Sequence, residues 1–248
     1  MDTAVWKKFV KAKERFRQIV EETNQALPGL KKIQQKLADI RQEASYTVQT
    51  PVVYNFSLDD ITINDTIKLI LVADNPGRRE QAHENRRYLV GPSGKIANNF
   101  FSGNPELGID FLRNVIILNK TPIHSPRTTE LKTLCSMEKN SSLISFELEE
   151  SQKNMADLLL QFHEALCCPV WITGYSEMKK GGIFEVYTDR LKQIYNANEK
   201  LFKLIFIYRH FSMNQFTIDL KKRMSAGEKT EAVLKRIGKM YRERILNN

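Results

Sequence analysis

Between residues 3 and 24 the apolar positions recur every three or four residues: Trp6, Phe9, Val10, Phe16, Ile19 and Val20 share one side, and Lys and Arg hold the other. This is the spacing of an amphipathic helix. Pro28-Gly29 interrupts it, and Leu30, Ile33, Leu37 and Ile40 begin a second helical run. The first 45 residues therefore predict a helical hairpin packed as a cap on the remainder. From about residue 66 the period changes. Four short, nearly continuous apolar runs, IKLILVA, NVIILN, CPVWITG and LFKLIFIY, alternate with helical patterns such as MADLLLQFHEAL and the stretch from Gly181 to about Asn198. Strands apolar on both faces and separated by helices predict a parallel sheet covered on both sides. The expected fold is α/β, a three-layer αβα sandwich around a short parallel sheet. The final run, GEKTEAVLKRIGKMYRERIL, reads as a basic amphipathic helix with Ala232, Ile237, Met240, Tyr241 and Ile245 toward the core. The chain divides into a helical extension, 1–45, and an α/β domain, 46–248, without an internal repeat or a low-complexity linker.

At 248 residues and 42% hydrophobic content, the chain can bury one substantial core with room for an appendage. The formal charge of +9 favours a polyanionic partner such as nucleic acid. Its distribution refines that reading. Residues 1–45 carry ten Lys/Arg against six Asp/Glu and residues 221–248 nine against three, which leaves the middle near −1. Much of the excess thus fits the solvated faces of two helical segments. Within the middle, Arg78, Arg79, Arg86, Arg87 and Lys95 cluster in one stretch, opposed locally only by Glu80 and Glu84. Cys135, Cys167 and Cys168 form no CxxC pair and are too few for a four-cysteine metal site. A reducing, intracellular, cytoplasmic setting is expected, with no signal peptide and no membrane span. The NxS/T triplets at Asn55, Asn64 and Asn140 then carry no information.

Candidate chemistry gathers at strand ends, where an open α/β sheet places its sites. IKLILV runs into Asp74-Asn75-Pro76-Gly77, a turn sequence in its own right. It is followed by RYLVGPSGK, whose Gly91 and Gly94 permit close backbone approach to a phosphate and whose Ser93 suits a helix cap. VIILN closes on Asn119, with an amide offering one donor and one acceptor face. LFKLIFIYRHFS reaches His210, followed by Ser212, Met213 and Asn214. His83, His124 and His163 lack such placement, and no pair has metal-ligand spacing.

These four segments, in this order over roughly residues 66–220, resemble the uracil-DNA glycosylase superfamily. ADNPG is similar to its GMNPG, GINPG and GEAPG motifs, RYLVGPSGK to its PFVGxSGxL segment, and HFSMNQF to its HPS-type loop. The resemblance implies hydrolysis of an N-glycosidic bond in base-excision repair, with no metal or other cofactor. Asn75 and Asp74 would position the water, and His210 would stabilise the departing base. Asn119 would read the base, with stacking by Tyr88 or Leu89. Gly77, where other members carry Tyr, would admit bases larger than uracil. Arg86, Arg87, Ser93, Lys95, Ser212, Met213 and Asn214 would contact DNA, with Met213 or Phe216 as a wedge. Cys135 matches a family cysteine that binds an iron-sulfur cluster, but its companions are absent and no cluster is expected. Phe211 replaces the usual Pro, which would loosen the last loop, and Gly174 matches a strand-end glycine. The partner implied is DNA with a damaged or deaminated base, bound by a monomer. A nucleic-acid-binding protein that keeps the fold without catalysis is the alternative. A small-molecule α/β enzyme lacks both a GxGxxG fingerprint and a P-loop here.

Overall fold

The computed structural model describes residues 1–41, 46–137 and 141–247. The boundary expected at residue 45 and the triplet at Asn140 lie outside these. Two helices, α1 (Thr3–Ala26) and α2 (Leu30–Ile40), precede the sheet. Then follow β1 (Leu69–Ala73), α3 (Pro92–Ser102), α4 (Phe111–Asn114), β2 (Val115–Asn119), α5 (Glu130–Leu134), α6 (Ser141–Leu166) and β3 (Val170–Ile172). The chain closes with α7 (Glu185–Tyr195), α8 (Glu199–Phe202), β4 (Ile205–Ile207), α9 (Gln215–Arg223) and α10 (Thr230–Leu246).

The four apolar runs are the four strands, and all pair in parallel in the order β2-β1-β3-β4. Every residue of β1 and of β3 is buried, as a sheet sandwiched between helices requires. On one face Trp171 lies beside Leu71 and Phe206 in register. It stacks on Phe101 of α3 and on Phe216 of α9. The α10 helix comes so close to β4 that a Cβ at Gly238 would stand 2.6 Å from that of Phe206. The other face, with Val170, Ile172, Ile205 and Ile207, is equally buried. The protein is thus an α/β sandwich, as the apolar runs predict.

The order decides where the chemistry goes. After β1 the chain moves outward to β2, and after β2 it crosses back to the opposite side of β1 to form β3. Connections therefore leave β1 and β3 in opposite directions and open a crevice at their carboxyl ends, the usual binding place in open α/β sheets. With Ala73 in register with Asn119, and Val72 with Ile172 and so Ile207, all four strands deliver their following residues to that end.

The N-terminal helices are more than a cap. The Asp2 side chain accepts from Val5 N–H at 2.8 Å and starts α1, which lies along α6 with Phe9 edge-on to Phe162. Phe9, Phe16 and Ile19 belong to the same apolar core as the strands. On α2, Gln34 Nε2 donates to the carbonyls of His124 (2.8 Å) and Pro51 (3.1 Å), tying the helix to the loop after β2. One expected core position is corrected: Ala232 is exposed, and the inward stripe of α10 starts at Val233 and Leu234. Ile237, Tyr241 and Ile245 are buried as expected, and at 100° per residue Ala232 falls outside the stripe they share with Val233 and Leu234.

Candidate active site

Asp74 leaves β1 at the crevice and is 7% exposed. Its Oδ1 accepts from Lys120 Nζ at 2.6 Å, while its Oδ2 receives only a long bond, 3.3 Å, from Thr128 Oγ1. Lys120 follows Asn119 directly and is fully buried; its ammonium also donates to the carbonyls of Thr173 (2.6 Å) and Ala73 (3.3 Å) and lies over the Phe184 ring. Burial works to raise the Asp74 carboxyl, but the positive charge of Lys120, His210 nearby and the bonds from Lys120 and Thr128 outweigh it and hold it below the usual range. Gly174, after β3, has φ +87°, and a Cβ there would stand 2.1 Å from Asp74 Oδ1. Only glycine fits both the left-handed backbone and the carboxylate. Gly174→Ala is expected to lose at least about 1–2 kcal/mol from its backbone alone and to displace Asp74. Thermal unfolding of the variant checks this, and an unchanged midpoint would contradict it.

Asn75 is spoken for. Its Nδ2 donates to Ser125 O and Oγ, both at 3.0 Å, and to Pro76 O at 3.2 Å, and its Oδ1 accepts from Thr128 Oγ1 at 3.1 Å. It lines the cavity but serves to lock two loops together. Glu80, expected only as a local counter-charge, links the two turns on one wall. Oε2 accepts from Gly77 N–H (2.9 Å) and Oε1 from Leu89 N–H (2.8 Å). Burial pushes its carboxyl up to about 7, against these two donors.

Several expected positions need correction. Tyr88 turns into the core, packing near Phe16 and donating from its hydroxyl to Val53 O at 2.6 Å. Leu89, at φ +54°, is the residue of that pair on the cavity wall. The alternation is a consequence of the turn, which sends neighbouring side chains to opposite sides. Gly94 approaches protein and not phosphate: a Cβ there would fall 1.4 Å from Leu89 O. Ser93 is no cap, since Gly91 occupies that position of α3, although Gly91, Pro92 and Ser93 all border the cavity. Asn119 is 1% exposed and does not border the cavity, and its Nδ2 has no hydrogen-bond partner among the described residues.

The loop after β4 brings in His210, half-buried on the cavity wall. Ser212 N–H donates to His210 Nδ1 at 3.0 Å, so the neutral ring carries its proton on Nε2. Burial lowers the pKa of the ring, opposed by the Asp74 carboxylate and reinforced by Lys120. Met213 is 82% exposed at the cavity edge, and both it (φ +51°) and Asn214 (φ +56°) have left-handed backbones. Asn214 itself does not border the cavity and precedes α9. Phe211 anchors this loop instead of loosening it: the ring is 1% exposed and stacks on Phe216 at 4.4 Å. Phe216 is thereby a core residue and is not placed to act as a wedge.

These groups enclose a cavity of about 810 Å³ lined, among the described residues, by no Phe, Tyr or Trp. Its mouth is bordered by four exposed arginines, Arg78, Arg79, Arg127 and Arg209. The other expected cations lie elsewhere. Arg86 sits over the Phe56 ring, Arg87 pairs with Asp60 at 2.6 Å, and Lys95 is exposed on α3. Cys135 is half-buried, His124 bonds Pro76 O through Nδ1 at 2.8 Å and contacts Tyr46, and His163 bonds Tyr195 at 3.0 Å. Sequence reasoning missed Lys120, although a lysine directly after an apolar strand was a usable signal. It also missed Arg127 and Arg209 as rim residues, because only folding brings them beside Arg78. No family model, curated protein or solved structure matches this chain.

Proposed function

We propose that the protein is a monofunctional DNA glycosylase that hydrolyses the N-glycosidic bond of uracil or a related damaged base. The observation that carries this reading is that Asp74 and His210 line one cavity, with Ser212 N–H donating to His210 Nδ1 and so leaving Nε2 to carry the proton of a neutral ring, and with Lys120 bonded to Asp74 Oδ1. Cleaving a base from its sugar leaves negative charge on the base and positive charge on the sugar carbon. His210 Nε2–H donates to the base oxygen as that charge grows, and Asp74 Oδ2 orients the water and faces the cationic sugar. Asp74 is favoured over Asn75 for the water because the Asn75 amide is already committed to Ser125, Pro76 and Thr128. A base must leave the stack to reach such a site. The exposed Met213 suits the space it vacates, and the arginine rim suits the flanking phosphates. Gly77 and a lining without Phe, Tyr or Trp among the described residues leave room for bases larger than uracil.

The test is release of uracil from labelled single- and double-stranded oligonucleotides, read as alkali-labile abasic sites, beside thymine and hypoxanthine opposite guanine. Turnover of uracil and at least one larger base is expected. A second reading, nucleic-acid binding without turnover, draws on the burial of Asn119, which does not border the cavity. Tight, salt-sensitive DNA binding with no base released from any of these substrates would establish it instead.

A further inference from the structure

The fully buried ammonium of Lys120 adjoins the site and takes no part in the mechanism proposed above. We propose that Lys120 is a positioning residue, which fixes the Asp74 carboxylate with Oδ1 turned inward and Oδ2 presented to the cavity. The inference rests on the glycosylase reading of this site. Its first support is geometric. Lys120 Nζ has three acceptors, Asp74 Oδ1 and Thr173 O at 2.6 Å and Ala73 O at 3.3 Å, which match its three protons. Two of them are backbone carbonyls at the carboxyl ends of adjacent strands, Ala73 closing β1 and Thr173 directly after β3, so the ammonium is held by the edge of the sheet. Gly174 closes the far side of Oδ1, where no Cβ would fit. Rotation of the carboxylate would break the Lys120 bond, and Oδ2 keeps lone pairs for water because its one partner among the described residues, Thr128 Oγ1, is distant.

The second support is chemical. An isolated carboxyl at this depth would be driven toward its neutral form. A neutral Asp74 could neither orient water through a free anionic oxygen nor face a sugar cation. The charged groups that bear on the pair are His210 beside Asp74 and Glu177, which acts on Lys120 from the turn after β3. Among them Lys120 alone bonds the carboxylate directly. The same burial excludes a role for Lys120 as a nucleophile: it is 0% exposed and does not border the cavity. Products should therefore be intact abasic strands, with no Lys120 adduct trapped by borohydride.

The experiment compares wild type with Lys120→Met in two measurements: the pH dependence of base release and the titration of the ¹³C-labelled Asp74 carboxyl by NMR, assigned through Asp74→Asn. In the folded variant the acid limb of kcat/KM and the carboxyl titration are both expected to move up by about one to three pH units. Turnover at neutral pH should fall through kcat, with KM little changed. A merely structural lysine would lower activity without moving either curve, and that result, or a borohydride adduct on Lys120, overturns the proposal. If Lys120→Met does not stay folded, the wild-type titration decides: a carboxyl below the usual aspartate range upholds the pairing, and an ordinary one overturns it. If wild type releases no base, the glycosylase reading falls by itself, and the carboxyl titration still tells whether Lys120 sets the state of Asp74.

Discussion

Asp74→Ala is expected to destabilise the protein by about 3–5 kcal/mol, the usual cost of leaving one member of a buried ion pair without its partner. For a chain of this size that corresponds to a fall of roughly 6–20 °C in melting temperature, and to a large share of the total stability of an ordinary domain. The reason lies with Lys120. It is fully buried, its strongest partner is Asp74 Oδ1 at 2.6 Å, and the carbonyls of Thr173 and Ala73 supply only partial charge. Because the folded Asp74 pKa lies below its ordinary value, its contribution is present above the unfolded carboxyl range and is lost as pH falls through the folded value. The deficit of the variant should accordingly shrink toward acid pH. Asp74→Asn combined with Lys120→Met removes both charges at nearly constant shape and should recover much of the loss, as a double-mutant cycle would report. Asp74→Ala as stable as wild type at neutral pH would mean that the pair does not form in solution. Any loss of activity in this variant must be measured well below its own melting temperature.

His210→Ala should behave oppositely, with the loss falling on turnover and little of it on stability. Removing a single donor to charge that develops in the transition state costs about a hundred- to thousandfold in rate. His210 is half-buried, and among the described residues its side chain makes one hydrogen bond, the acceptance from Ser212 N–H at 3.0 Å, while its backbone carbonyl keeps the bond from Phe216 N–H in the variant, so folding depends on the ring weakly. The loop is held independently by Phe211, packed on Phe216 and Phe100. Single-turnover release of uracil should slow by that factor while DNA affinity, which the proposed function assigns to the arginine rim, stays near wild type. Full activity in His210→Ala would remove the central residue of the proposed mechanism.

The two substitutions separate what could be read along the chain from what could not. The strands were legible because four apolar runs bounded by helical patterns have few other solutions, and parallel pairing places all their ends together. Asp74 and His210 were legible as polar tips of such runs. Tyr88 and Leu89 were not separable, because their assignment to core or cavity turns on the φ +54° backbone of Leu89, which leaves no periodic trace. Asn119 followed the same strand-end logic as Asp74, yet it is 1% exposed and does not border the cavity, while Glu80 and Leu89, some thirty to forty positions away in the chain, do. Phe211 looked like a loosened proline position and is an anchor, since its packing partner Phe216 is brought beneath it by the start of α9.

By itself, then, the sequence determined the α/β class, the helical N-terminus and the strand ends at which chemistry gathers, because hydrophobic periodicity is a local signal that burial enforces residue by residue. Only the tertiary structure decided which of those polar groups share a cavity. The Asp74–Lys120 bond spans 46 residues, Gly174 reaches Asp74 across 100, and Arg127 and Arg209 meet Arg78 at one rim. Strand order in the sheet sets those meetings, and burial of a charge is affordable only where its partner is delivered within bonding distance.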